Sequence, residues 1–225
     1  MNLEQARFNM IEQQIRPWDV LDTEVLHLLS VVKRENFVPL AHKALAFVDM
    51  EIPLRGKTED AQRLGQCMLA PRVEARMLQD LAVRKHEKVL EVGTGSGYMT
   101  ALLAHRAQRV ISLEIEPDLV SQARVNLQKS GIRNADVIQA NGAEGLPEQG
   151  PFDVIVLSGS VAEVPHTLLA QLKVGGRLMA IVGELPMMRA TLITCTSDAE
   201  YKTTQAWDTV APRLLSFPEH SRFTF

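Results

Sequence analysis

The sequence predicts an α/β fold: a mostly parallel central sheet with helices on both faces. Three observations lead there. Short apolar runs at 88–92, 109–114, 136–139 and 152–157 have the length and composition of buried strands. Segments with helical patterning separate them, as parallel strands require. The first run ends in Gly93-Thr94-Gly95-Ser96-Gly97, a glycine-rich turn that opens a helix. In folds of this kind ligands are expected at the carboxyl ends of the strands.

The elements follow in order. Residues 3–48 read as a helical lead-in, with apolar positions at Ile11, Ile15, Val25, Leu28, Leu29 and Val32, and with Asp22 as a cap before the second run. Residues 49–71 read as a long loop punctuated by Pro53, Gly56, Gly65 and Pro71. A short helix fits 72–81, a second fits 98–106, and a third starts on Pro117 and stops at Gly131. A further helix is expected from Pro165 to about 172, followed by closing strands at 175–182, 190–196 and 203–210 whose order stays open. The expected organisation is a helical extension with a covering loop at 1–82 and a ligand-binding domain at 83–225, forming one structural unit.

Composition narrows the function. With 24 Lys and Arg against 27 Asp and Glu, the chain lacks the basic footprint of a nucleic-acid binder, and none is expected as a partner. Cys67 and Cys195 form neither a CxxC pair nor a Cys/His cluster, so neither metal site nor disulfide is expected. The first 15 residues carry Glu4 and Glu12 instead of an apolar signal core, and no run reaches the roughly 18 apolar residues of a membrane span. A cytoplasmic protein without membrane contact is the expectation.

The glycine loop carries the chemistry. Its spacing is GxGxG, whereas a dinucleotide loop needs GxGxxG to seat a pyrophosphate. Glu91, just before it, would repel a phosphate but suits the ammonium of an amino-acid-like ligand, directly or through water. Glu114, at the end of the second strand, is placed to accept both hydroxyls of a ribose, with Ile115 beside it. Asn141-Gly142, after the third strand, offers an amide for an adenine. A ribose and an amino-acid tail without phosphate describe S-adenosylmethionine, with S-adenosylhomocysteine as product. The candidate cofactor residues are therefore Glu91, Gly93, Thr94, Gly95, Ser96, Gly97, Glu114, Ile115, Asn141 and Gly142. Together they resemble the signature of a Rossmann-like class I methyltransferase.

The lead-in narrows the resemblance. Residues 31–39, containing Arg34, Glu35, Phe37, Val38 and Pro39, followed by Ala46, Asp49 and the Ile52-Pro53-Leu54 turn, resemble the Pro-Arg-Glu-x-Phe-Val-Pro region of protein-L-isoaspartate O-methyltransferases. The likeness covers most of residues 10–185 and fades over the last 40. It implies methyl transfer to the carboxylate of isoaspartyl residues in damaged proteins, the first step of their repair. The family's cofactor-covering stretch is Gly-Gln-Thr-Ile-Ser-Gln-Pro; here it is Gly65-Gln66-Cys67-Met68-Leu69-Ala70-Pro71, without either hydroxyl. Losing one such donor costs ~1–3 kcal/mol. Cys67, Leu69 and Pro71 are the lid candidates, and Ser158 and Ser160, after the fourth strand, the substrate-side candidates. Three alternatives remain open at this point: a small-molecule or different protein acceptor, a SAM-binding relative without isoaspartyl turnover, and a nicotinamide enzyme, which the loop spacing disfavours. The sequence leaves the oligomeric state open.

Overall fold

The computed structural model describes residues 2–219. Helix α1 (Leu3–Asn9) starts on Asn2, whose side chain accepts from the N–H groups of Glu4 and Gln5, and continues through a wider turn at Met10–Ile15. Helix α2 (Thr23–Val31) starts on Asp22, which caps Glu24 and Val25 as expected. The stretch expected as plain loop is more ordered than that: β1 (Ile52–Pro53) pairs antiparallel with β2 (Cys67–Met68) around a short α3 (Thr58–Arg63). Two-residue strands leave no periodic pattern, and this pairing rests on backbone bonds such as Leu54 N–H to Gln66 O, 2.9 Å. Helix α4 (Pro71–Leu81) uses its proline at the first turn, where a missing N–H costs nothing.

The sheet begins with β3 (Lys88–Val92), α5 (Tyr98–Arg106), β4 (Arg109–Glu114), α6 (Pro117–Lys129) and β5 (Ala135–Gln139). Then come β6 (Phe152–Val161), α7 (His166–Leu169), β7 (Leu172–Glu184), β8 (Met187–Ser197) and β9 (Glu200–Thr209). Helix α7 is shorter than expected because the chain turns into β7 already at Leu172. The strand order is β5-β4-β3-β6-β7-β8-β9; the first five are parallel and the last two close the sheet as an antiparallel meander. The chain runs outward from β3 through β4 to β5 and then crosses back to β6 on the other side of β3, so a crevice opens at the carboxyl end of β3.

Alternation along β3 sends Val89 into one apolar core and Leu90 and Val92 into the other. The first core also takes Met10, Ile15, Leu29 and Phe37, so the amino-terminal helices pack on the same interior as α4 and α5. A charged cluster sits within it. Arg34 is wholly buried and donates to the carbonyls of Ala46 and Leu69, both at 3.0 Å, while Glu35 pairs with buried Arg7. The Arg-Glu pair of the lead-in thus nails the covering hairpin to the extension. Glu74 faces Arg34 at 3.9 Å, too far for a hydrogen bond, and burial pushes its carboxyl up to about 8, opposed by Arg34 and reinforced by Glu91.

That shift sets a pH dependence. Folding raises the Glu74 carboxyl from 4.5 to about 8, so the folded state takes up a proton between those values. The associated stability is complete below pH 4.5 and lost as pH climbs to about 8. Glu74→Gln should match the parent's melting temperature near pH 5 and exceed it by a few degrees at pH 9, at roughly 2–4 °C per kcal/mol for a chain of this size. A gap that does not grow with pH contradicts the assignment.

Candidate active site

The crevice is a partly open cleft walled by the glycine loop, the end of β4, Ser158 in the carboxyl half of β6 and the β1–β2 hairpin. Glu114 lines it. One carboxylate oxygen accepts the Gly95 N–H at 2.8 Å and the other the Glu116 N–H at 3.1 Å. Each oxygen keeps a lone pair for a further donor, so the group is oriented before any ligand arrives. Burial raises its pKa, and the backbone N–H groups of Gly95, Glu116 and Ile115 oppose that rise.

The loop bends tightly toward the cleft. Gly95 lines the cleft with φ of +53°, and a Cβ there would stand a tight 3.2 Å from the Leu54 side chain of the covering hairpin, so the turn calls for glycine. Gly142, after β5, approaches so closely that a Cβ would stand 2.1 Å from Val92. Ser96 is held by Asn126, whose amide donates to its carbonyl at 2.9 Å, and Thr94 bonds Ser112 at 2.5 Å; both side chains are buried and serve the loop.

Glu91 lies behind the cleft. It is fully buried and accepts from Thr100 on α5, Ser112 on β4 and Ser158, which with Ser160 lies inside β6 because that strand runs on to Val161, not after it as expected. Burial pushes its carboxyl up to about 7, against the pull of those three hydroxyls. Ser158 lines the cleft and donates to Glu91 at 2.8 Å, so the carboxylate reaches the ligand space through this hydroxyl.

Other candidates are placed differently. Asn141 is exposed and accepts the Ala143 N–H at 3.2 Å as a turn cap, while its neighbours Ala140 and Gly142 line the cleft. Ser160 is wholly buried and donates to the Ala211 carbonyl at 2.9 Å. Leu69 packs in the apolar core, and Pro71 begins α4. Cys67 does line the cleft, together with Gly65 and Gln66, and burial pushes its thiol up to about 12. Arg55 clamps the hairpin across the cleft mouth: it donates to Gln66 at 2.8 Å and pairs with Glu116 and Asp118 at the start of α6. Sequence reasoning missed Arg55 and the segment after β9, from which Arg213, Leu214 and Phe217 reach the cleft. Neither carries a motif; only a tertiary contact reveals them.

A parallel sheet with its glycine loop at the switch point, and an acid ending the neighbouring strand, defines a Rossmann-like methyltransferase. The comparisons go further. Residues 5–210 match the family model for protein-L-isoaspartate(D-aspartate) O-methyltransferase. The protein-L-isoaspartate O-methyltransferase of Methanoculleus marisnigri is 39% identical over 177 residues, covering 79% of this chain and 77% of its own. Protein-L-isoaspartate O-methyltransferase 1 of Syntrophobacter fumaroxidans is 39% identical over 184 residues, 82% of each chain. In fold, the chain is similar to a Plasmodium falciparum crystal structure described as a beta-aspartate methyltransferase in complex with S-adenosyl-L-homocysteine: TM-score 0.74, 21% identity, covering 92% of this chain and 98% of the other. The chain belongs to the protein-L-isoaspartate(D-aspartate) O-methyltransferase family and is a SAM-dependent methyltransferase.

Two measurements test the site. Glu114→Ala should weaken S-adenosylhomocysteine binding in calorimetry at least tenfold, the scale of a lost charged acceptor; unchanged affinity removes Glu114 from the site. Native protein at pH 8 should leave Cys67 unalkylated by iodoacetamide, because a thiol pushed to about 12 is almost wholly protonated. Rapid labelling of Cys67 contradicts its placement.

Proposed function

We propose that the cleft holds S-adenosylmethionine along Glu114, Gly95, Gly93 and Ser158, and that the enzyme methylates the free carboxylate of isoaspartyl residues in peptides and proteins. The observation that carries the cofactor assignment is the Glu114 carboxylate, buried at the cleft wall and fixed by two backbone N–H groups with lone pairs to spare. Gly95 supports it, since its backbone lines the cleft and a Cβ there would crowd Leu54 across it. Bound there, the cofactor supplies a methyl group already activated on a sulfonium.

The protein's part is alignment. A carboxylate acceptor is ionised at neutral pH, so no base has to deprotonate it. Accordingly, the Cys67 thiol is held neutral and Glu91 is sealed behind Ser158. Ser158, its proton committed to Glu91, offers its oxygen to an ammonium group in the cleft. The hairpin, anchored by Arg34 and clamped by Arg55, covers the cleft and limits water, and catalysis then rests on proximity and exclusion of solvent. In this proposal residues 1–82 form the cover and 83–225 the methyltransferase domain.

Among the described residues no helix is long and apolar enough to cross a membrane. Both cysteines are free and buried, which supports placing the enzyme in the cytoplasm; the family match supports a protein substrate, and the net charge of -3 speaks against a nucleic-acid one. A second reading, a different acceptor, draws on Leu69, whose side chain lies in the core where the family pattern has a serine.

Labelled methyl transfer from S-adenosylmethionine to an isoaspartyl peptide, beside its aspartyl isomer, separates the two readings. Transfer specific to the isoaspartyl form is the expected result. No transfer by a protein that binds S-adenosylhomocysteine would favour the changed acceptor.

A further inference from the structure

The segment after β9 brings an arginine, Arg213, to the cleft wall with no counter-ion among the described residues. Its backbone is sewn to the end of β6: Ser160 N–H donates to Pro212 O at 2.8 Å, and Leu214 N–H to Ser160 O at 2.9 Å. On the other side the Arg213 carbonyl sits where a Cβ on Gly65 would stand, 2.1 Å away, so this residue is wedged between β6 and the covering hairpin. Leu214 lies over Gly93, whose Cβ would meet its side chain at 2.8 Å. Arg213 is therefore held in place by its neighbours on both sides, and it is one of the residues that line the cleft.

Among the described residues the Arg213 guanidinium forms no hydrogen bond or ion pair. Its Nη1 is buried and bonds to nothing among the described residues. The carboxylates that share the cleft are engaged elsewhere: Glu114 holds the N–H groups of Gly95 and Glu116, and Glu116 pairs with Arg55. A guanidinium stays charged at any physiological pH, and a buried, unbonded N–H on a cation costs free energy that an incoming anion offsets. Its fork of donors matches a carboxylate. The position also fits: Arg213 stands on the β6 side of β3, whereas Glu114 stands on the β4 side. An anion held there lies across the central strand from the ribose-binding acid.

We propose that Arg213 is the carboxylate-binding residue at the methyl-donating end of the cleft. The inference rests on the cofactor and acceptor reading above. The carboxylate comes from one of two sources, the methyl acceptor or the amino-acid tail of the cofactor, and the chemistry is the same for both.

The test uses the full chain with Arg213→Ala and Arg213→Lys, folding being checked by circular dichroism. Calorimetry compares S-adenosylhomocysteine with 5′-methylthioadenosine, which lacks the amino-acid tail, and kinetics give KM and kcat for an isoaspartyl peptide. If the tail is the source, Arg213→Ala weakens S-adenosylhomocysteine binding roughly ten- to hundredfold, leaves methylthioadenosine unchanged, and lysine recovers part of the loss. If the acceptor is the source, S-adenosylhomocysteine affinity is unchanged and KM for the peptide rises by a similar factor with kcat much less affected. A structural role alone would move both nucleoside ligands together and overturns the proposal, as does a folded Arg213→Ala with neither affinity nor KM altered. Should the parent bind S-adenosylhomocysteine but methylate no isoaspartyl peptide, the acceptor reading has failed. Arg213 is then judged on the two nucleosides, and equal affinities in parent and variant refute it.

Discussion

Glu91 is a carboxylate with no exposed surface, and three hydroxyls from three different elements keep it there. Burying such a group without donors would be prohibitive. Thr100, Ser112 and Ser158 therefore become structural necessities, and in satisfying Glu91 they fix α5, β4 and the end of β6 around the carboxyl terminus of β3. The glycine loop grows out of this junction. Its geometry is set from behind, by bonds that do not enter the cleft, and the wall that faces a ligand is left to backbone, to Ser158 and to Glu114.

The cover over the cleft is organised on the same plan, from charged groups whose bonds are spent on holding backbone. Arg34 grips the hairpin from the core side through the Leu69 carbonyl. Arg55 grips it from the solvent side by bridging Gln66 to Glu116 and Asp118. The amino-terminal helices are thus more than an appendage: their core is continuous with that of α4 and α5, and their buried arginine sets the height of the lid.

The parts of this structure that sequence made legible are those governed by local rules. Strands at 88–92 and 109–114, the helix at 98–106, the Pro117 start and the Asp22 cap appear where periodicity and capping chemistry place them. Gly93, Gly95 and Glu114 were visible because a tight turn and a strand-end acid leave a spacing. What sequence could not show depends on distant contacts. Glu91 precedes the loop, yet only the packing of Thr100, Ser112 and Ser158 reveals that it is sealed behind the cleft wall. Asn141 has the right residue type in the right interval, and its amide oxygen goes to Ala143. Leu69 stands in a motif position but packs inward, and Arg213 lies in a segment without pattern that reaches the cleft only through its pairing with Ser160.

In the proposed cofactor site this junction presents the Glu114 carboxylate and the glycine-loop backbone to one nucleoside ligand. A crystal structure of the protein with S-adenosylhomocysteine would show it. Both ribose hydroxyls should lie within hydrogen-bond distance of the Glu114 carboxylate, with the ligand backed against Gly95 and Glu91 still bonded to Thr100, Ser112 and Ser158. A ligand seated elsewhere, or a Glu91 that has left its hydroxyls to contact the ligand itself, would contradict it.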